Sequence, residues 1–235
     1  MPPRRTTAFL LALALLAVPV LTACSGDDTV SQSATDLLAH AKRTLDQTQT
    51  LHFVLDSEGA PKTGTELVGG EGDIARPASF EGTLQVLATG ATVHLSVVSV
   101  AGTVYAQLPF TSGFTVVDPA QFGFGDPGEL IDADTGISQL LSSADSAKLG
   151  EERRVGGEVV REVTAQLPGT LVEQLLTSKD PSRPVQARFS IAVESGELRR
   201  AELTGPFFDA EHDGTYTLQL SDFGADVQIT APATG

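Results

Sequence analysis

From Leu51 onward apolar residues recur with a period of two, and in several runs they occupy both faces of the implied strand. Phe53 and Leu55 alternate with Val54 and Asp56. Leu84, Val86 and Ala88, then Val93, Leu95 and Val97, repeat the pattern on either side of a turn at Gly90. Val97-Val98-Ser99-Val100 is apolar on both sides. A sheet with two apolar faces must be covered on both, or hold something against one of them.

The remaining elements show what could do the covering. Ser33-Ala-Thr-Asp36 reads as a capping box, and behind it Ala34, Leu37, Leu38, Ala41 and Leu45 fall at helical spacing, with Lys42, Arg43 and Asp46 outward. A strand at Thr103–Leu108 follows a turn at Ala101-Gly102. Pro119, Gly123, Gly125, Pro127 and Gly128 then mark a loop with short helical turns. Asp134-Thr-Gly opens a helix with Ile137, Leu140, Leu141 and Ala144 on one face, its first turn capped by Asp134 or Thr135. Arg153 to Arg161 reads as a hairpin turning at Gly156-Gly157, and Thr170-Leu-Val-Glu173 as a second capping box with Leu171, Leu175 and Leu176 inside. Strands follow at Ala187–Val193, after a turn at Glu194-Ser-Gly196 at Glu197–Thr204, and at Tyr216–Leu220 and Val227–Ile229. Helix, strands, helices, strands, without βαβ alternation, is an α+β order: a curved antiparallel sheet with helices packed on one side.

The N-terminus sets the compartment. Arg4 and Arg5 precede the apolar run Ala8–Val20, which is short for a membrane span and reads as a secretory signal. Leu21-Thr-Ala-Cys24 behind it resembles the lipobox of bacterial lipoproteins, whose cysteine thiol receives a diacylglyceryl group. The division expected is a signal peptide at 1–23, a lipidated Cys24 with a polar tether at 24–33, and one domain at 34–235, held on the outer face of the cell membrane. Cys24 is the only cysteine, so the exported domain has neither disulfide nor thiolate and depends on its apolar core. The chain's charge of −15 becomes −17 once Arg4 and Arg5 leave, which argues against nucleic acid as a partner.

Catalytic and metal chemistry find little support. His40, His52, His94 and His212 are scattered, none in metal-ligand spacing. There is no Gly-x-Ser-x-Gly elbow, Walker loop or dinucleotide fingerprint. Asp134-Thr135-Gly136 matches the tripeptide of aspartic proteases, but that reaction needs two such carboxylates and this chain has one. Asp132-Ala-Asp134 lacks the further acidic ligands of a calcium loop, and Glu151-Glu-Arg-Arg154 is a solvated charge run. The chain is not expected to be an enzyme or to need a metal or cofactor.

Taken together, the lipobox, the capped helix, Gly102–Leu108, Asp134–Lys148, Gly156–Thr164 and the closing Leu220-Ser-Asp-Phe-Gly224 resemble the LppX/LprG/LprA/LprF group of actinobacterial lipoproteins over residues 34–230. The resemblance implies a half-barrel of antiparallel strands with helices on its concave face, enclosing an apolar cavity for the acyl chains of di- or triacylated lipids and glycolipids. It places Phe53, Leu55, Leu84, Val86, Ala88, Val93, Leu95 and Val97 on the cavity side of the sheet, and Leu140, Leu141, Leu171 and Leu175 on the helical wall. It also implies a major-facilitator exporter as a partner. Family members often carry Trp near the positions of Phe114 and Phe223, whereas this chain has none, and Thr63–Pro77, rich in glycine, matches the pattern poorly. The competing expectation is an envelope interaction lipoprotein with a filled core and no lipid cargo.

Overall fold

A computed structural model describes Met1 and residues 33–234 except Gly123 and Gly156. The expected signal, Cys24 and most of the tether lie outside the described residues. The described residues from Ser33 onward form one compact unit.

The helix α1 (Ala34–Gln47) begins as its sequence dictates: Ser33 Oγ accepts from the Asp36 N–H at 3.1 Å, and the Asp36 carboxylate accepts from the Ser33 N–H. Leu37, Leu38, Ala41 and Leu45 are buried. Eleven strands then form a single open sheet in which every neighbour is antiparallel. They are β1 (Thr50–Glu58), β2 (Thr65–Ala75), β3 (Ser79–Ala88), β4 (Ala91–Val100), β5 (Thr103–Gln107), β6 (Thr115–Val116), β7 (Asp145–Val155), β8 (Glu158–Leu167), β9 (Val185–Ala192), β10 (Leu198–Gly205) and β11 (Gly214–Ser221). The spatial order is β6-β5-β4-β3-β2-β1-β11-β10-β9-β8-β7. Two meanders therefore lie side by side, joined by the pairing of β1 with β11, and the sheet is curved without closing into a barrel.

Glycines set part of that curvature. Thr63–Pro77, which matched the expected pattern poorly, contains β2, and its Gly70 and Gly72 face inward. Gly72 pairs with Phe53 on one side and Gly82 on the other, while Gly70 pairs with Leu55 and Leu84. A Cβ on Gly72 would stand 2.5 Å from the Phe80 ring, and one on Gly82 only 2.6 Å from the Gly72 Cα. The Phe80 ring thus lies where side chains would otherwise stand, with its centroid 5.5 Å from that of Phe53. Glycine inside a strand marks such close approaches and leaves no apolar alternation from which the strand could be read.

Because β6 and β7 lie at opposite edges, the chain between them must cross one face of the sheet. It carries two 3₁₀ turns, Pro119–Phe122 and Pro127–Glu129, and α2 (Ile137–Ser142), and buries Phe124, Ile131, Ile137 and Leu140 in the common core. Two polar fixtures tie this crossing segment to α1. Arg76 donates from Nε to Thr48 O at 2.8 Å and from Nη2 to Leu45 O at 3.1 Å and Ile131 O at 2.5 Å. Lys42 Nζ donates to Asp46 at 2.8 Å and to Ser138 Oγ at 3.2 Å, and Ser138 Oγ donates to Asp46. Lys42 and Asp46 are therefore half-buried pinning residues instead of outward ones. Arg76→Ala is expected to cost about 2 kcal/mol in chemical denaturation, since it strips charged donors from three carbonyls.

Other local expectations are corrected. Neither Asp134 nor Thr135 caps α2; Gly136 is its N-cap, without a side-chain bond. The helix stops at Ser142, and β7 begins at Asp145, so the exposed Glu151–Arg154 charges lie toward the end of that strand. The last helix, α3 (Gly169–Val172), is capped by Pro168 with no side-chain bond, and buries Val172 while Leu171 is half-buried. Val227 and Ile229 belong to no strand. The outer face of the sheet is also less apolar than the alternation suggested: one row across it reads His52, Asp73, Glu81 and Val98, and of these four only Val98 is buried.

Candidate apolar cavity

Under the crossing segment lies an apolar cavity of about 260 Å³. Its floor is the inner face of the central strands. Register sets Leu84, Gly70, Leu55, Leu218 and Ala201 in one row across β3, β2, β1, β11 and β10. Phe53, Leu67, Leu203 and Tyr216 complete the floor. The roof is Phe124, Pro127, Leu130, Ile137 and Leu140 from the crossing segment, with Leu175 and Leu176 from the turn after α3. An isolated antiparallel bridge between Phe124 and Leu176 joins the two parts of the roof. Gly125, Glu129, Thr135 and Gln174 line the cavity and are also exposed, so they mark its mouth.

Of the residues expected on the wall, Phe53, Leu55, Leu84, Leu140 and Leu175 line this space. Val86, Leu95 and Val97 share the inner face but are packed in the core beside it, as is Leu141 on α2. Val93 and Leu171 are partly buried against that core, and Ala88 is half-buried at the turn into β4. Sequence reading assigned no cavity role to Tyr216, Leu218, Ala201 and Leu203. The apolar alternation of Tyr216, Leu218 and Leu220 was visible, but only the long-range pairing of β1 with β11 brings it opposite Leu55.

The polar groups around the cavity are largely occupied. Tyr216 donates from its hydroxyl to Leu67 O at 2.5 Å, and burial, then the nearby Glu66 carboxylate, push its phenol well above the ordinary range. Glu66 is itself paired with Lys179 at 2.7 Å. Asp126 accepts from the Gly128 N–H at 2.8 Å and opens the second 3₁₀ turn. Asp132 accepts from the N–H groups of Asp134 and Thr135, both at 2.9 Å, and from Thr135 Oγ1 at 3.0 Å. The Asp134 N–H, with lesser help from Thr135 and the Arg76 charge, lowers the Asp132 pKa against the opposing effect of burial. The protease-like tripeptide thus serves as donors to a neighbouring carboxylate. Since the folded pKa lies below its ordinary 3.8, the stabilisation from Asp132 is complete above that value and is lost as pH falls through the folded pKa. Asp132→Asn is expected to flatten this part of the acid limb in a stability–pH titration.

Among the described residues no group of three His, Cys, Asp or Glu side chains is arranged to hold a metal, and no helix is long and apolar enough to cross a membrane. The sheet, the crossing segment and the cavity therefore carry the comparison with known proteins. The family model of the LppX_LprAFG lipoproteins matches residues 33–229. The chain belongs to that family. It is a family of lipoproteins, not of enzymes. Among curated relatives, the lipoarabinomannan carrier protein LprG of Mycolicibacterium hassiacum is 27% identical over 238 residues, covering 97% of this chain and 98% of the relative. The LprG proteins of Mycolicibacterium smegmatis and Mycobacterium tuberculosis are 26% and 24% identical, each over at least 95% of both chains. Among solved structures, LprF from Mycobacterium bovis aligns with a TM-score of 0.70 at 16% identity, over 85% of this chain and 97% of that one. LppX from Mycobacterium tuberculosis aligns at 0.62 and 16% identity, over 84% and 98%. The open antiparallel sheet is the fold of this family.

Proposed function

We propose that this LppX_LprAFG lipoprotein is a membrane-tethered carrier that takes acyl chains of a lipid or glycolipid into the cavity beneath its crossing segment. The observation that carries the reading is the cavity itself: a mainly apolar space between sheet and roof, lined by Phe53, Leu55, Leu84, Leu140 and Leu175. Each methylene moved there from water gains roughly 0.8 kcal/mol, so acyl chains alone can hold a cargo without charged contacts. In this reading residues 1–23 are removed, Cys24 carries the lipid anchor, and the 24–33 tether keeps the domain at the outer face of the cell membrane. The naming of the LprG relatives as lipoarabinomannan carriers supports an acylated glycolipid as cargo.

At about 260 Å³ the cavity lies below the ~300–1,000 Å³ of ordinary ligand pockets. Two or three acyl chains therefore require the roof to part, and the single Phe124–Leu176 bridge is the junction that must open. The same small volume favours the second reading, an interaction lipoprotein with a filled core. Titration with a fluorescent diacylglycerol glycoside separates them. Saturable uptake near one molecule per chain, displaced by the unlabelled lipid, supports the carrier; no saturable uptake leaves the filled-core module.

A further inference from the structure

From Gly82 to Val117 the chain contains no Asp, Glu, Lys or Arg, although 19% of its residues are charged and its net charge is −15. The sheet order collects this stretch at one edge, in β4, β5 and β6. At the tip of the β5–β6 hairpin, Leu108-Pro-Phe-Thr111 forms a tight turn. The Thr111 N–H donates to Leu108 O at 3.1 Å, Thr111 Oγ1 donates to the same oxygen at 2.7 Å, and Gln107 Nε2 donates to Thr111 O at 3.2 Å. With Pro109 at its second position and Phe110 at its third with φ 69°, this is the form of a type II turn, where glycine is the ordinary third residue. A bulky aromatic in that conformation costs free energy, and the Phe110 ring, fully exposed, recovers none of it within the fold. Val116, on β6 of the same hairpin, is exposed as well.

We propose that this edge docks on a lipid bilayer and that Phe110 inserts at the boundary between headgroups and acyl chains. A projecting ring on a hydrogen-bonded turn suits a fluid interface, where aromatic and apolar side chains settle readily. Charge selects the same side. Anionic headgroups repel an acidic protein over a Debye length, and this edge can approach them without bringing a carboxylate of its own strands. Docking also brings the start of the roof to the lipid, because the Val117 N–H is bonded to Val104 O on β5 and the crossing segment departs from there. The proposal concerns the surface and does not depend on which cargo, if any, fills the cavity.

The chain has no tryptophan, so a single one reports on its own surroundings. Phe110→Trp is compared with Val155→Trp, an exposed position on β7 at the opposite edge, beside Arg153 and Arg154. Both full-length chains are reconstituted in vesicles of phosphatidylcholine and phosphatidylglycerol. The expected result is emission from position 110 quenched several-fold more strongly by brominated phosphatidylcholine than by aqueous iodide, with the opposite preference at position 155. Equal access of iodide to both positions overturns the proposal. Protection of position 110 from iodide without quenching by brominated lipid also overturns it, and assigns the patch to a second copy or another protein.

Discussion

Replacing Leu84 by Trp is expected to abolish acyl-chain uptake while leaving a folded protein. Leu84 stands on the cavity floor, in register with Gly70 of β2 and Leu95 of β4, and its side chain already reaches over Gly70, where an added Cβ would lie 2.6 Å from Leu84 Cδ2. An indole there has one direction in which to extend, into the open volume, so it occupies the space an acyl chain would use. Overpacking a core usually costs about 1–3 kcal/mol, and the cavity keeps this case at the low end. Uptake of the diacylglycerol glycoside should fall to background while the denaturation midpoint shifts little. Unchanged uptake would mean that the acyl site lies elsewhere.

The largest expected loss of stability is at Gly82→Ala. The new Cβ would fall 2.2 Å from Glu71 O and 2.6 Å from the Gly72 Cα, and both are backbone atoms that no side-chain rotation can move aside. The Phe80 ring, at 2.7 Å, would have to leave the glycine floor, breaking its contact with Phe53. We expect a cost of about 3 kcal/mol, the upper end for an overpacked core, read as a lower midpoint in urea. Gly125→Ala is the matched control for steric room, because a Cβ there meets only Gln174 O, at 3.9 Å. Near-equal effects at the two positions would contradict the role given to the glycine floor.

These two positions also mark how far the sequence could be read. The alternation at Leu84, Val86, Leu95 and Val97 placed those side chains on one face, and the turns at Gly90, Ala101-Gly102 and Glu194-Ser-Gly196 fixed which strands are neighbours. Such features are local, set by pleat period and turn chemistry. Gly70, Gly72 and Gly82 were illegible for the opposite reason: a glycine chosen because another backbone comes too close leaves no periodic trace, so β2 was not read as a strand. The cap expected for α2 failed where similar side chains compete. Asp132, two residues earlier than expected, captures the N–H groups of Asp134 and Thr135, and α2 starts at an uncapped Gly136. Within the cavity, the half built on Phe53, Leu55 and Leu84 was expected from the family resemblance, on strands that their own alternation located. The half built on Leu218, Ala201 and Leu203 depends on β1 meeting β11, a pairing between distant parts of the chain that local pattern does not encode.

The most direct test is mass spectrometry of an organic extract of the domain beginning at Ser25, purified from an actinobacterial host beside its Leu84→Trp variant. A near-stoichiometric di- or triacylated lipid on the unaltered domain, absent from the variant, is the expected result and would name the cargo class. A lipid-free domain would contradict the carrier reading and leave the filled-core interaction module in its place, and the same lipid on both proteins would put the acyl site away from Leu84.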